Sequence, residues 1–233
     1  MRGLFVTGTD TGVGKSVLSA ALLAAISEAG ERVRAHKPVV TGLDDPPGEW
    51  PADHVLLGAA AGMAPEDVAP LRYGPAASPH LATELEGETI DSGGLIARAR
   101  EAMRLGEEED ATLILEGVGG LLVPLADDFS VLDLAVELNL PLLVAARPGL
   151  GTINHTLLTL RTARSAGLEV RAVALTPWPA ESAQAAPLER SNRETIARLG
   201  EIEVVGLPLV SSPSLPDLAE AGGGLPWRRW LQP

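Results

Sequence analysis

The sequence predicts an α/β fold in which a doubly wound, mostly parallel sheet carries helices on both faces. Three observations predict it. Short, nearly unbroken apolar runs at 111–115 and 141–146 suit parallel strands buried on both sides. Segments with apolar residues at helical spacing separate such runs, so strand and helix alternate along the chain. A chain of 233 residues, 45% hydrophobic and 21% charged, is long and apolar enough for one substantial core, and a single domain over 1–233 is expected.

The first strand begins at Gly3 and ends in a glycine-punctuated loop that closes on Gly14, Lys15 and Ser16, ahead of a helix predicted over 17–29. Gly8, Gly12 and Gly14 let the backbone turn its N–H groups inward toward phosphate oxygens, and the positive end of the following helix adds to that field. Lys15 supplies a mobile charge for terminal phosphates and the Ser16 hydroxyl can ligate Mg²⁺. Five residues, not four, separate Gly8 from Gly14, so the strict phosphate-loop pattern is not met. Among 18 basic residues only Lys15 and Lys37 are lysines. A lysine is a compact point charge that arginine does not replace among phosphates, which makes Lys37 the candidate for a second catalytic cation.

A second strand is expected over 32–37, stopped by Pro38, and a Pro-, Gly- and Asp-rich loop over 41–52. Asp53 stands where the next helix starts, as a structural cap or as a metal ligand. Residues 62–90, with four prolines, read as irregular, and Ser78, Pro79 and His80 within them carry no assignable chemistry. A surface helix over 94–105 leads to a solvated acidic turn at 107–110. The strand at 111–115 runs into Glu116, Gly117, Val118, Gly119 and Gly120, and a carboxylate so placed is costly unless a cation meets it. Helices follow at 132–138, 152–166 and 188–199, and strands at 141–146, 169–175 and 202–207. Gly222, Gly223 and Gly224 read as a flexible joint before a Trp-rich tail whose expected role is packing.

In such sheets ligands gather at the carboxyl ends of the strands. That rule converges the phosphate loop, Lys37, Glu116 and Thr176 on one site. Nucleotide-bound Mg²⁺ takes few protein ligands, so Ser16 and Glu116 are natural ones, with Asp53 a weaker third and Asp10, Asp44 and Asp45 as competitors. Residues 149–155 open a helix at another strand end, where exposed N–H groups suit a carboxylate, or where Thr152 simply caps the helix.

Composition excludes other classes. A formal net charge of −13 without a basic block disfavours nucleic acid. No cysteine is present, so there is no thiolate nucleophile and no disulfide frame. No apolar run approaches the roughly 20 residues that span a bilayer, and Met1 leads straight to the first strand, so a cytoplasmic protein is expected.

With these residues in view the chain resembles the dethiobiotin synthetases, ATP-dependent carboxylases of the P-loop NTPase fold. The matching stretches are Val6 to Ser16 with its extra loop residue, His36 to Val39 with Thr41 and Gly42, Glu116 to Gly120, and Gly149 to His155. The resemblance implies a ligase that closes the cyclic urea of dethiobiotin from 7,8-diaminononanoate, CO₂ and ATP. It implies Lys37, Lys15 and Thr11 as catalytic, with Mg²⁺ on Ser16, Asp53 and Glu116. It also implies nucleotide contacts from Gly12, Val13, Gly14, Lys15, Ser16 and Val17, and from Asp53, Glu116, Gly117, Val118 and Gly119. Thr176, Pro208, Leu209 and Val210 complete that set. Substrate would meet Thr41 and, from the neighbouring subunit of a homodimer, Leu150, Gly151, Thr152, Ile153 and Asn154. Many relatives place an asparagine where Thr176 stands, and the 206–210 loop is one residue shorter than in some, so weak discrimination among ATP, CTP and GTP is expected. Partitioning ATPases are set aside because 9–11 lack their signature lysine. Amidoligases need a glutaminase cysteine, and GTPases an Asn-Lys-x-Asp base reader that two lysines at 15 and 37 preclude.

Overall fold

The computed structural model describes residues 2–46, 48–179 and 187–232; Met1, and Pro47 of the expected 41–52 loop, lie outside them. The first half of the chain runs β1 (Gly3–Gly8), α1 (Lys15–Glu28), β2 (Val33–His36), β3 (Val39–Val40) and α2 (Asp53–Ala61). It continues with α3 (Pro65–Val68), β4 (Leu71–Arg72), α4 (Pro79–Leu85), α5 (Ser92–Glu108) and β5 (Thr112–Gly120). After these come β6 (Pro124–Ala126), β7 (Phe129–Ser130), α6 (Val131–Leu138), β8 (Leu142–Ala146) and α7 (Thr152–Ser165). The chain ends with β9 (Val170–Trp178), α8 (Pro187–Gly200), β10 (Glu203–Pro208), α9 (Leu215–Gly223) and α10 (Trp227–Trp230).

Six strands form one parallel sheet in the order β10-β9-β8-β1-β5-β2. β1 lies between β5 and β8, so the chain leaves it toward one edge and later crosses to the other. That reversal places the loop after β1 where two crossovers diverge, the position at which open α/β sheets bind ligands.

The two-residue period of a strand sends alternate side chains to opposite faces. Leu4 and Val6 of β1 and Ile114 of β5 enter the core under α1, α2 and α9, while Phe5, Leu113 and Leu115 enter the one under α5 and α6. A third cluster joins Val144, Val173 and Leu175 to Leu160 and Ile196 of α7 and α8. Both faces are therefore covered, which is why these strands read as continuous apolar runs.

Several expectations are corrected. Residues 62–90 hold α3, β4 and α4, with Pro65 and Pro79 opening helices in their first turn, where a missing N–H costs nothing. The acidic turn at 107–110 begins later, since α5 runs through Glu108. Its Asp91 cap accepts from the Gly93 and Gly94 N–H groups, which outweighs two glycines in the first turn.

Gly222 is no flexible joint. It sits buried in α9, capped by Ser214, and packs against α1 so closely that a Cβ there would stand 2.0 Å from the Ala21 carbonyl oxygen. Close helix approach offsets glycine's poor helix propensity, and α1 meets α9 more extensively than any other helix. Gly222→Ala is expected to cost about 1–3 kcal/mol through overpacking. Gly223→Ala, where a Cβ meets nothing within 4 Å, should be neutral or gain up to about 1 kcal/mol. Equal urea midpoints for the two variants would refute this packing account. The tail packs as expected, with Trp227 and Trp230 buried in the same core.

Candidate functional site

Gly12 and Gly14 have φ of 68° and 90°, the left-handed conformation that turns the loop's amides together. No side chain caps α1 at Gly14, so its first N–H groups remain available to an anion. Lys15 folds back over the loop and donates from Nζ to the Asp10 carbonyl at 3.0 Å. Burial lowers its pKa, helped by the Lys37 ammonium and opposed by Glu116, Asp53 and Asp10. Gly8 has to be small, because a Cβ there would lie 3.0 Å from that Nζ.

Glu116 lies inside β5, paired with Val6, rather than beyond the strand's end. The strand's alternation turns it to the α1 side, where the Ser16 hydroxyl donates to Oε1 at 2.8 Å. Lys37 follows β2 and donates to the same Oε1 at 2.5 Å and to Asp53 Oδ2 at 2.5 Å. Glu116 is fully buried and Lys37 is 3% exposed. Burial alone would depress the Lys37 ammonium, but the Asp53 and Glu116 carboxylates overcome it and hold its pKa above the ordinary lysine value. Asp53 is pushed up by burial and pulled below its usual range by Lys37, Ser16 and Lys15. Two ammonium groups and two carboxylates thus make a compact, formally neutral cluster beside the phosphate loop.

Asp53 is not the helix cap. Ala52 holds that position, and the Asp53 carboxylate, one residue inside α2, goes to Lys37 instead. Of the competing carboxylates, Asp10 accepts from the Thr11 N–H and Asp44 packs on Gly74, while Asp45 reaches only the wall of the cleft.

A cleft of about 810 Å³ opens over this cluster, lined by Thr11, Gly12, Gly14, Lys15, Ser16 and Val17 of the loop and by Lys37, Thr41 and Asp53. Val118 and Gly119 line it too, whereas Gly117 does not. A Cβ on Gly117 would face Phe5 and Val131, because β5 alternates. The Thr41 hydroxyl donates to the Ala77 carbonyl at 2.8 Å. Trp50 and Ser78 are wall residues that no sequence pattern singled out for this place. His80, 3.0 Å from the Ser78 hydroxyl, faces a different cavity.

A second cavity of about 160 Å³ adjoins the loop, bounded by Gly12, Val13, Gly14, Val17, Trp50, Arg147, Thr176, Pro177, Pro208, Leu209 and Val210. Thr176 lies within β9 and packs on Gly14, where a Cβ would come 2.7 Å from its methyl.

The 150–154 turn lines neither cavity, so one chain does not bring its expected substrate contacts to the cleft. Gly151, with φ 92°, is the capping position of α7, and Thr152 lies inside the helix with its hydroxyl 3.4 Å from that of Thr156. Leu150 is 92% exposed. The Asn192 amide, unmarked by any sequence pattern, donates to the Pro148 and Gly149 carbonyls at 2.9 and 3.1 Å and holds the turn in place.

Among the described residues no helix is long and apolar enough to cross a membrane. The family described as AAA domain matches residues 2–219. A curated relative from Anaeromyxobacter dehalogenans, ATP-dependent dethiobiotin synthetase BioD, is 40% identical over 227 residues, covering 97% of this chain and 96% of its own. The protein of the same name from Bacillus subtilis (strain 168) is 33% identical over 210 residues, covering 89% and 87%. Among solved structures, a ParA family ATPase from Chlorobium tepidum aligns with a TM-score of 0.50 at 13% identity, covering 96% and 91%. The signal recognition particle receptor FtsY from Elizabethkingia anophelis gives 0.51 at 13%, covering 96% of this chain and 64% of its own. At that identity the two structures speak to the fold alone.

Proposed function

The chain belongs to the ATP-dependent dethiobiotin synthetase family, and from that premise we propose that it forms dethiobiotin from 7,8-diaminononanoate, CO₂ and ATP in biotin biosynthesis. The observation that carries the reading is Lys37, buried between Asp53 and Glu116 on the floor of a cleft that the phosphate loop also lines.

One amine of the substrate attacks CO₂, forming a carbamate and losing a proton. A carbamate oxygen then takes the terminal phosphoryl of ATP, with ADP leaving, to give a carbamic–phosphoric anhydride. The second amine attacks the anhydride carbon and loses a proton, the C–O bond to phosphate breaks, and a five-membered cyclic urea and phosphate are released. Phosphoryl transfer of this kind asks little covalent chemistry of the protein, and its rate comes from positioning and charge neutralisation. Lys15 and Lys37 supply fixed cations to the phosphoryl and the carbamate. Thr11 and Thr41, both on the cleft wall, offer hydroxyls to the carbamate or the free amine.

The oxygen set fits Mg²⁺. Two carboxylates and a hydroxyl converge, and among the described residues Glu116 Oε2 is buried with no hydrogen-bond partner. Ser16, Asp53 and Glu116 would hold the ion, which would neutralise phosphate charge as a Lewis acid. The reading includes a cytoplasmic homodimer whose 150–154 turn receives the far carboxylate of a substrate bound by the other subunit. It includes one domain over the whole chain. It also includes weak base selection, since the second cavity presents Thr176 in place of an amide.

Given Mg-ATP, bicarbonate and 7,8-diaminononanoate, the protein, sedimenting as a dimer, should release phosphate only when the diamine is present and accumulate a cyclic urea. CTP and GTP should support comparable kcat/KM. Phosphate release indifferent to the diamine, without a cyclic urea, would overturn the assignment. A fully active monomer would remove the shared site, and a strong ATP preference the weak selection.

A further inference from the structure

Arg147 follows the carboxyl end of β8, the strand that pairs with β1 ahead of the phosphate loop. Ala145 of β8 pairs with Gly8, so the residue after the strand emerges level with the loop. The Arg147 Nη2 donates to the Gly12 carbonyl at 3.1 Å, and a Cβ on Gly12 would come 3.2 Å from the same nitrogen. Among the described residues it is also the one charged group bounding the 160 Å³ cavity, whose other walls are glycines, apolar side chains, Trp50 and Thr176. The side chain is exposed, and among the described residues it has no carboxylate partner.

Two physical consequences follow. A loop that turns its amides inward to meet phosphates turns carbonyls outward, and these need donors of their own. Arg147 satisfies one of them, at a residue with left-handed φ. A guanidinium carries five N–H groups, and only one is used here. The rest stand at the mouth of the cavity, in a chain of net charge −13, unpaired. An unpaired cation beside a phosphate-binding loop draws polyanions to it.

We infer that Arg147 is a nucleotide-binding residue: it latches the loop through Gly12 and presents its free N–H groups to the nucleoside side of the triphosphate. The inference rests on the reading of the loop as a nucleotide site. Arg147 does not line the 810 Å³ cleft, so it acts on nucleotide affinity and not on the diamine. Because it reads no base edge, it acts alike on ATP, CTP and GTP.

The test is calorimetric titration of the three Mg-triphosphates into wild type, Arg147→Ala, Arg147→Gln and Arg147→Lys, at two salt concentrations. One charge-assisted hydrogen bond lost should weaken all three in the alanine variant by about tenfold. KM for the diamine should not move, and kcat should change far less than the nucleotide KM. Lysine, which keeps the charge, should retain more affinity than glutamine, and wild type should lose affinity with salt more steeply than alanine. Wild-type protein that binds no nucleotide would sink the family reading of the loop, and this inference with it. Wild type that binds, with an alanine variant that binds equally, would overturn this inference alone. Full recovery of affinity and of salt slope by glutamine would reduce Arg147 to a loop latch and overturn the nucleotide contact.

Discussion

Replacing Lys37 by glutamine is expected to lower turnover by about 10²-fold or more while Mg-ATP still binds. The cleft holds two ammonium groups, and only Lys15 belongs to the phosphate loop. Lys37 follows a different strand, and the proposed mechanism gives it the transferring group rather than the nucleotide as a whole. With its pKa raised by Asp53 and Glu116, it stays charged across the neutral range and works as a fixed cation. A glutamine amide can still donate to both carboxylates, so the fold survives, but the positive charge is gone. Arginine should not restore activity, since a planar fork cannot occupy a space shaped for a compact ammonium 2.5 Å from each of two carboxylate oxygens. The readouts are kcat for diamine-dependent phosphate release and nucleotide affinity by calorimetry. Near-wild-type turnover in the glutamine variant would remove Lys37 from the chemistry.

Glu116→Ala should be the most destabilising single change at the site. Glu116 is fully buried and accepts from both Ser16 and Lys37, so its loss leaves the ammonium with the partly exposed Asp53 alone. Breaking a buried pair by removing one partner costs roughly 3–5 kcal/mol, because the other charge stays behind uncompensated. For a chain of this size that is a fall in Tm of about 10 °C. A double variant, Lys37→Met with Glu116→Leu, removes both charges and keeps the volume, so it should recover much of the lost stability and none of the activity. Thermal unfolding of the three proteins decides the matter. A double variant as unstable as Glu116→Ala would refute the stranded ammonium as the source of the cost.

The site was legible in the sequence to the degree that it obeys local rules. The glycine spacing before Lys15 and Ser16 marked the loop, and the scarcity of lysine marked Lys37. Both signals survive in a string of letters because each depends on residue type alone. Arg147 lay within reach of the strand-end rule, since it follows a buried apolar run, but nothing local separates it from the other arginines. Trp50 carries no local signal, because only the folded chain makes it a wall of both cavities. Asn192 is 43 residues from the turn it holds.

By itself the sequence determined the alternation of strand and helix, the position of the phosphate loop and the family, because hydrophobic period, glycine conformation and motif spacing are properties of neighbouring residues. Only the tertiary structure decided that Asp53 leaves its helix end to meet Lys37, that Glu116 turns to the α1 side to meet Ser16 and Lys37, and that Gly222 is a packing contact. Each of those depends on which face of a strand or helix meets which partner. That is fixed by strand register and helix approach, by residues far apart in the chain and a few ångströms apart in space.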